Sequence, residues 1–365
     1  MPIKARLTWG LAFVILSYGT GKFCVTNNRD CVIMSALKSN QFRQRVLNIA
    51  TNTGKTEYLH MQGDKRMRIL VTDGMSRSAI AKLQEKGHTV VEKYFEPEEL
   101  GAALQDFDCV VVRSKTKVRA NHVDEAVKGN LKLIIRGGVG VDNIDVAYAE
   151  SKGIAVRNTP CASSAAVAEL ALGHMFCLAR YIGISNVTMR QGQWNKKQYE
   201  GMEIGGKTLG LIGFGRIAQE LAKRAEALGM QVVYTRRSGE DKNFPQYQYL
   251  PLEELLQVSD FVSLHIPMPA DKQPVLGKQE LSLMKPTAFL INTARGGVVD
   301  EAALLDALNA GKLAGAGLDV FAQEPTANEA LCNHPKVSVT PHIGGQTGEA
   351  QGRIGDEIVS IICSF

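Results

Sequence analysis

Three segments in the second half of the chain each place a chemically able side chain just after a short apolar run. They are Arg295 in FLINTARGGVVDE, Glu324 in GLDVFAQEP and His342 in VTPHIGGQTGEAQ. Continuous apolar runs of this length read as parallel strands covered on both faces. The three side chains then lie at carboxyl ends of strands and face one crevice. Together they supply what hydride transfer to a 2-keto acid needs. A planar arginine binds a carboxylate through two parallel hydrogen bonds. An imidazole delivers a proton to the carbonyl oxygen near neutral pH. A carboxylate beside that imidazole holds it in place and favours its charged form. Taken singly, each has a plainer explanation: a surface ion pair for Arg295, a loop or cap residue for Glu324, a core histidine for His342. Their order behind a glycine loop gives them chemistry.

That loop lies in GKTLGLIGFGRIAQELAKRAEALGMQVVYTRRS, as Gly213-x-Gly215-x-x-Ala218 between a strand and a helix. Gly213 makes the tight turn, Gly215 lets the backbone approach a pyrophosphate, and Ala218 permits close helix–strand packing. The helix N-terminus turns its free N–H groups toward the phosphates. An acidic residue at the end of the next strand marks NAD, through the ribose hydroxyls. This chain has Thr235, Arg236, Arg237 and Ser238 there. Arg236 and Arg237 either attract the 2′-phosphate of NADP or are solvated surface charges.

The positioning elements alternate from Met67 onward. Strand-like runs are Arg68–Thr72, Thr89–Tyr94, Cys109–Arg113, Leu131–Arg136 and Ile154–Arg157, with helical spacing at Arg77–Lys86 and Glu96–Leu104. An alanine-rich helical stretch, Ser163 to Tyr181, leads to a second series with strands Leu209–Ile212, Gln231–Thr235, Phe261–His265, Ala288–Asn292, Gly315–Asp319 and Val337–Thr340. The expected fold is α/β, with two doubly wound parallel-sheet domains. A Rossmann cofactor domain, residues 158–345, is inserted into a flavodoxin-like substrate-binding lid, residues 67–157 and 346–365. Such a pair encloses a cleft, the usual place for a ligand.

The 365 residues suffice for two cores. Residues 1–66 carry ten Lys/Arg against three acids and the remainder 32 against 34, so the body is near neutral and no nucleic-acid surface is expected. The leader, residues 1–66, has an apolar stretch from Leu7 to Tyr18 too short for a membrane span. It reads as disordered, as a targeting segment, or as a mis-assigned start with the true one at Met67. Seven cysteines without a C-x-x-C pair read as buried free thiols in a reducing compartment, with no metal site. The expected location is the cytoplasm, or an organelle if the leader is a transit peptide.

From Met67 onward the chain resembles the D-isomer-specific 2-hydroxyacid dehydrogenase family. The resemblance is carried by VVVRSKTKV, IIRGGVGVDNIDVAYAESKGIAVRNTP, SSAAVAELALGHMFCLAR, GGKTLGLIGFGRIA, INTARGGVVDEAALLDAL, GAGLDVFAQEP and PHIGGQTGEAQ, and covers nearly all of residues 67–365. It implies that Arg295 orients the substrate, that Glu324 is the partner acid and that His342 is the proton donor. It implies cofactor contacts from Arg216 and Ile217 at the pyrophosphate, from Asp319 at the nicotinamide carboxamide, and from Val139, Ile266, Thr293, Ala294 and Gly344. The backbone of Gly138 and Val139 would meet the substrate carboxylate. Arg113 and Ser114 would face its far end, where Arg113 either meets a phosphate or makes a rim salt bridge. The segments most resemble the branch that oxidises 3-phospho-D-glycerate to 3-phosphohydroxypyruvate, toward serine. The resemblance points to NAD, whereas Arg236 points to NADP. Two rivals remain: an NADPH-dependent glyoxylate or hydroxypyruvate reductase on the same scaffold, and a non-enzymatic dinucleotide sensor. The chain ends at Phe365, before the serine-binding regulatory domains of longer relatives, so serine feedback is not expected. A homodimer is implied, with Trp194 in MRQGQWNKKQYEGMEIGGK either an interface anchor or half-buried packing.

Overall fold

Short apolar runs alternate with helices from Met67, and each run has become a strand of one of two parallel sheets. The computed structural model describes residues 66–365 in full. Before them it gives only the backbone of β1 (Ile3–Ala5), β2 (Phe13–Tyr18), β3 (Lys22–Asn27) and β4 (Asp30–Ile33), paired antiparallel in that order. The readings of the leader otherwise lie outside the described residues.

The first sheet holds β5 (Arg68–Val71), β6 (Thr89–Glu92), β7 (Cys109–Val112), β8 (Leu133–Arg136) and β9 (Ala155–Asn158) in the order β6-β5-β7-β8-β9. This is the flavodoxin-like order. Between the strands run α1 (Arg77–Glu85), α2 (Pro97–Leu104), α3 (Ala120–Ala126) and α4 (Val146–Ser151). Pro97 opens α2, where a missing N–H breaks no helical bond. Strand β7 is buried along its whole length, and period-2 alternation divides its side chains between two cores. Val110 and Val112 meet Leu100 and Leu104 of α2. Cys109 and Val111 meet Leu83 of α1 and Ile354, Ile358 and Ile362 of the C-terminal helix. The chain therefore returns to its first sheet at its end.

The second sheet has β10 (Thr208–Ile212), β11 (Gln231–Thr235), β12 (Gln248–Tyr249), β13 (Phe261–Leu264), β14 (Phe289–Asn292), β15 (Gly315–Leu318) and β16 (Val337–Val339), in the order β12-β11-β10-β13-β14-β15-β16. All pairs are parallel. The order reverses between β10 and β13, the switch point where dinucleotides bind in doubly wound sheets. The helices are α5 (Ser164–Ala179), α6 (Ile182–Arg190), α7 (Arg216–Ala227), α8 (Leu252–Val258), α9 (Lys278–Leu283), α10 (Glu301–Asn309) and α11 (Glu329–Cys332), and α12 (Gly348–Ser364) is the one on the first sheet. Helix α5 lies against α7 and the second sheet, with Ala168, Ala171 and Met175 in its core.

Arg113, His265, Asp319 and Thr340 each sit one residue beyond a strand rather than closing it, because the backbone there already turns into the site. The helical stretch to Tyr181 is broken earlier: Tyr181 takes a φ of 55°, and α6 follows with no buried residue. The cysteines correct one expectation. Cys109 is buried, Cys177 and Cys332 are partly so, but Cys161 and Cys363 are exposed, since loop and terminal positions give no core to enter. Among the described residues no single helix is long and apolar enough to cross a membrane.

Candidate active site

The glycine loop has the shape a phosphate needs. Gly213 has a φ of +88°, and a Cβ there would come within 2.5 Å of the His265 carbonyl oxygen, so only glycine fits. Gly215 caps α7 without a side-chain bond and faces open space. The first N–H groups of α7 are thus free for an anion. Arg216 is exposed, Ile217 is half-buried and Ala218 is wholly buried against the sheet. Ile266 is half-buried, its Cγ2 beside Gly213. Thr293 and Ala294 line the next strand end, both buried. Thr293 Oγ1 and His265 Nδ1 are buried without a protein hydrogen-bond partner, as expected where a bound group completes the site. The residues present therefore fit a dinucleotide.

At the end of β11 the two arginines part company. Arg236 is held by its own loop: Nε donates to the Gly239 carbonyl at 2.7 Å, Nη2 to the Glu240 carbonyl at 3.1 Å and Nη1 to Asp241 at 2.5 Å. The Asn243 N–H, followed by the charge of Arg236, keeps the Asp241 carboxyl below its usual range. Arg237 is exposed.

The proton-transfer pair is assembled. His342 Nδ1 lies 2.6 Å from Glu324 Oε2, and Glu324 Oε1 accepts the Phe321 N–H at 3.1 Å. The side chains are 37% and 35% exposed, enough for a substrate to reach. Burial pushes the Glu324 carboxyl up, but hydrogen bonding and charge from His342, the Phe321 N–H and Arg295 outweigh it, and the net shift is down. With Nδ1 toward an ionised carboxylate, Nε2 is the nitrogen left for the substrate.

The loop carrying His342 hangs on Asp319, which is 1% exposed. Its Oδ1 accepts the Thr340 hydroxyl at 2.6 Å and the Ile343 N–H at 2.8 Å, and its Oδ2 accepts the Gly344 N–H at 2.9 Å. His342 itself has a φ of 54°, and its N–H donates to the Asp319 carbonyl at 2.9 Å. The carboxylate expected at a carboxamide thus shapes the histidine loop. Behind it, buried His174 of α5 bonds Thr340 Oγ1 at 3.1 Å and Ser338 Oγ at 2.9 Å, a link not legible in the sequence. Gly344 is buried beside Asp319.

Arg295 comes off β14 with its carbonyl held by Asn292 at 2.9 Å. Its Nη1 donates to the Ala294 carbonyl and its Nε to Asp142, each at 2.6 Å. Asp142 belongs to the loop after β8, so the first sheet meets the second at this arginine. On that side Arg113 is half-buried, with Nη1 on the neutral Gln351 Oε1 of α12. Burial lowers its pKa, partly offset by Asp73. Asp73 fixes the turn by accepting the Arg113 N–H at 2.7 Å and the Thr116 N–H at 3.0 Å. Arg113, exposed Ser114, Lys115, Gln346, Thr72 and Asp73 line an open cleft of about 410 Å³. The Gly138 N–H donates to the Arg136 carbonyl at 2.9 Å, and the Val139 carbonyl accepts from Asn158 at 2.6 Å. The Gly138 N–H expected at a carboxylate is therefore engaged within the loop. Sequence reasoning passed over Arg136, Asp142 and Lys115. Arg136 had a usable signal, because like Arg113 it closes an apolar run of the first sheet.

Comparison with known proteins agrees with this geometry. Residues 172–344 match the model of the D-isomer specific 2-hydroxyacid dehydrogenase NAD binding domain. A hydroxypyruvate reductase of Thermotoga maritima is 44% identical over 301 residues, 81% of this chain and 97% of the relative. The chain belongs to the D-isomer specific 2-hydroxyacid dehydrogenase family. It is accordingly a dinucleotide-dependent oxidoreductase. A D-3-phosphoglycerate dehydrogenase of Methanocaldococcus jannaschii is 42% identical over 297 residues, 79% of this chain but 55% of the relative, so the enzyme spans about half of that protein. Among solved structures, an NADPH-dependent glyoxylate/hydroxypyruvate reductase from Sinorhizobium meliloti, in complex with NADP and malonate, superposes with a TM-score of 0.72. It is 31% identical, over 81% of this chain and 92% of that one.

Proposed function

We propose that the enzyme oxidises 3-phospho-D-glycerate to 3-phosphohydroxypyruvate. The observation carrying this reading is Arg113, a half-buried guanidinium facing an open cleft with a neutral glutamine as its side-chain partner. In the proposed complex Arg295 binds the substrate carboxylate and Arg113 the phosphate. His342 Nε2 accepts the proton of the C2 hydroxyl, and Glu324 stabilises the imidazolium that forms. A nicotinamide dinucleotide, when bound, would supply the acceptor for the hydride on C2. In reduction His342 returns the proton. The Gly213–Ile217 turn would hold the pyrophosphate, and Val139, Ile266, Thr293, Ala294, Asp319 and Gly344 would surround the rest of the dinucleotide. Residues 67–157 and 346–365 form a lid that closes on residues 158–345 and excludes water.

A second reading, reduction of glyoxylate or hydroxypyruvate with NADPH, is favoured by Arg236 and Arg237 and by the names of the Thermotoga and Sinorhizobium relatives. Initial rates followed by dinucleotide absorbance separate the two. Phosphoglycerate with NAD and NADP is set against hydroxypyruvate and glyoxylate with each reduced cofactor. Turnover of phosphoglycerate upholds the first reading, and turnover of the unphosphorylated keto acids alone replaces it with the second. We place the enzyme in the cytoplasm as a homodimer. Helix α6 exposes Ile182, Val187 and Met189, and Trp194 beyond it is 78% exposed, which suits an interface anchor better than packing. Sedimentation of the wild type and Trp194→Ala tests the dimer.

A further inference from the structure

Helix α5 carries one polar ring on its apolar face. His174 is 2% exposed, beside Ala171, Met175 and Leu178 of the second sheet's core. A buried imidazole is costly unless its nitrogens are hydrogen-bonded. The sheet makes room for it at Gly317 of β15, where a Cβ would stand 2.7 Å from His174 Cβ and 3.0 Å from its Cγ. The segment through β16 supplies the partners. Ser338 and Thr340 are two residues apart, so extended backbone turns both to one face. Ser338 Oγ lies 2.9 Å from Nδ1 and Thr340 Oγ1 3.1 Å from Nε2. Burial lowers the ring's pKa against a smaller opposing pull from Asp319, which keeps it neutral.

A neutral ring has one N–H, and its partners decide which nitrogen carries it. Asp319 Oδ1 accepts the Ile343 N–H and Oδ2 the Gly344 N–H. Oδ1 also accepts the Thr340 hydroxyl at 2.6 Å. That hydroxyl has one proton and gives it to Asp319, so toward His174 its oxygen accepts. Nε2 therefore carries the ring proton, and Nδ1 accepts from the Ser338 hydroxyl. Every bond then runs one way, from Ser338 through His174 and Thr340 to Asp319, and bonds so aligned strengthen one another. The row ends on the residue whose carbonyl accepts the His342 N–H at 2.9 Å, where His342 takes its φ of 54°.

We propose that His174 is a positioning residue for the reaction: by donating from Nε2 to Thr340 it fixes the Thr340 hydroxyl on Asp319, and so holds the turn that sets the His342 ring against Glu324. It acts through Thr340 and Asp319, not on the substrate. This rests on the reading of His342 as the proton-transfer group and adds what keeps that group in place.

The test uses the full chain as wild type, His174→Gln, His174→Asn, Thr340→Val and the double variant of the last two. A glutamine amide reaches as far as Nε2 and can donate to Thr340, whereas an asparagine amide reaches only as far as Nδ1 and stops at Ser338. Both bury an amide in one place, so a loss that followed stability alone would be equal in the two. Rates are read by dinucleotide absorbance with 3-phospho-D-glycerate, hydroxypyruvate and glyoxylate. In His174→Asn and Thr340→Val kcat falls roughly 10- to 100-fold, as for a catalytic group displaced by up to about 1 Å. KM for the acid changes by less than about threefold, because the loss is confined to the transition state. His174→Gln recovers most of the loss, and the double variant falls no further than the lower single one, since both residues act in one row. Nitrogen–proton correlation spectra of the histidine rings place the His174 proton on Nε2. They show His342 ring signals that move in His174→Asn and Thr340→Val and return in His174→Gln. Equal losses in the glutamine and asparagine variants, additive losses in the double variant, or a His174 proton on Nδ1 each overturn the proposal and leave His174 as packing. If His342→Gln keeps wild-type turnover, the proton-transfer reading fails and the ring signals alone decide. A His342 ring that moves in His174→Asn and returns in His174→Gln still upholds the positioning, and one that stays put removes it.

Discussion

Gly140→Ala separates the position of Arg295 from the stability of the fold. The φ of Gly140 lies outside the left-handed region, so the backbone accepts alanine. The added Cβ would sit 1.3 Å from Arg295 Nη2, 2.4 Å from Cζ and 2.9 Å from Nε. Reaching ordinary contact near 3.4 Å requires the guanidinium to retreat by about 2 Å. It is the far end of a flexible side chain, so the movement costs little stability. The ion pair lost, with Asp142 58% exposed, contributes about 0–1 kcal/mol. Catalysis is less forgiving, since a misplacement of roughly 1 Å costs about 100-fold in rate. The expected outcome is a kcat/KM lower by at least about 100-fold, or about 2.7 kcal/mol. NADH affinity by fluorescence titration should be unchanged, and the thermal melt nearly so. Gly296→Ala is the control with the opposite signature. Its Cβ would meet the Phe321 carbonyl oxygen at 1.7 Å and the Ala322 nitrogen at 2.8 Å, backbone atoms that cannot swing away, so stability falls together with activity. A Gly140→Ala enzyme within about threefold of wild type in kcat/KM would refute the placement of Arg295 on this loop.

His342→Gln should lower turnover by about 10²–10⁴-fold with dinucleotide affinity intact; wild-type turnover in this variant would mean another proton donor. Arg237→Gln should raise the KM for NADP about tenfold and leave that for NAD unchanged, as one charge-assisted hydrogen bond is lost; equal KM values for both cofactors would class it as a solvated charge. His265 is half-buried, and burial of its ring pushes its pKa down to about 3. The unfolded chain binds its proton first, so its stabilising contribution is complete above about pH 6.5 and is lost as pH falls toward 3, by about 1.4 kcal/mol per pH unit. Urea unfolding across that range should show a shallower acid loss in His265→Asn, and an unaltered slope would mean that the ring is protonated in the native state.

The strands were legible because parallel sheets write themselves as unbroken apolar runs. CVVV of β7 is buried throughout, and Gln231–Thr235 is a strand over its whole expected length. Arg295, Glu324 and His342 were legible because each follows such a run, and the sheet order places those ends together. What was hidden depends on backbone geometry. Asp319 anchors the histidine loop through the N–H groups of Ile343 and Gly344, and this requires the turn at His342, a residue whose type gives little warning of a positive φ. Arg236 looked like a free phosphate ligand because its partner, Asp241, lies in an irregular loop with no periodicity to read. Helix α6 was missed because it follows α5 after a single break at Tyr181 and its apolar residues Ile182, Val187 and Met189 are exposed, so no core-facing stripe sets it apart.

The two glycine stretches look alike on the page and serve opposite ends. At Gly213 and Gly215 the missing side chains let backbone N–H groups approach an anion, and the protein contributes donors without net charge. At Gly138 and Gly140 they make room for the guanidinium groups of Arg136 and Arg295, and the protein contributes charge itself. The difference follows from what each half of the cleft must hold. A pyrophosphate is extended and buried at a helix N-terminus, where oriented dipoles suffice. A small acid presents its charge at the ends of a short chain, and side chains reaching from two sheets can grip both ends. In the complex proposed above, Arg295 of the second sheet and Arg113 of the first would hold the two ends of such an acid.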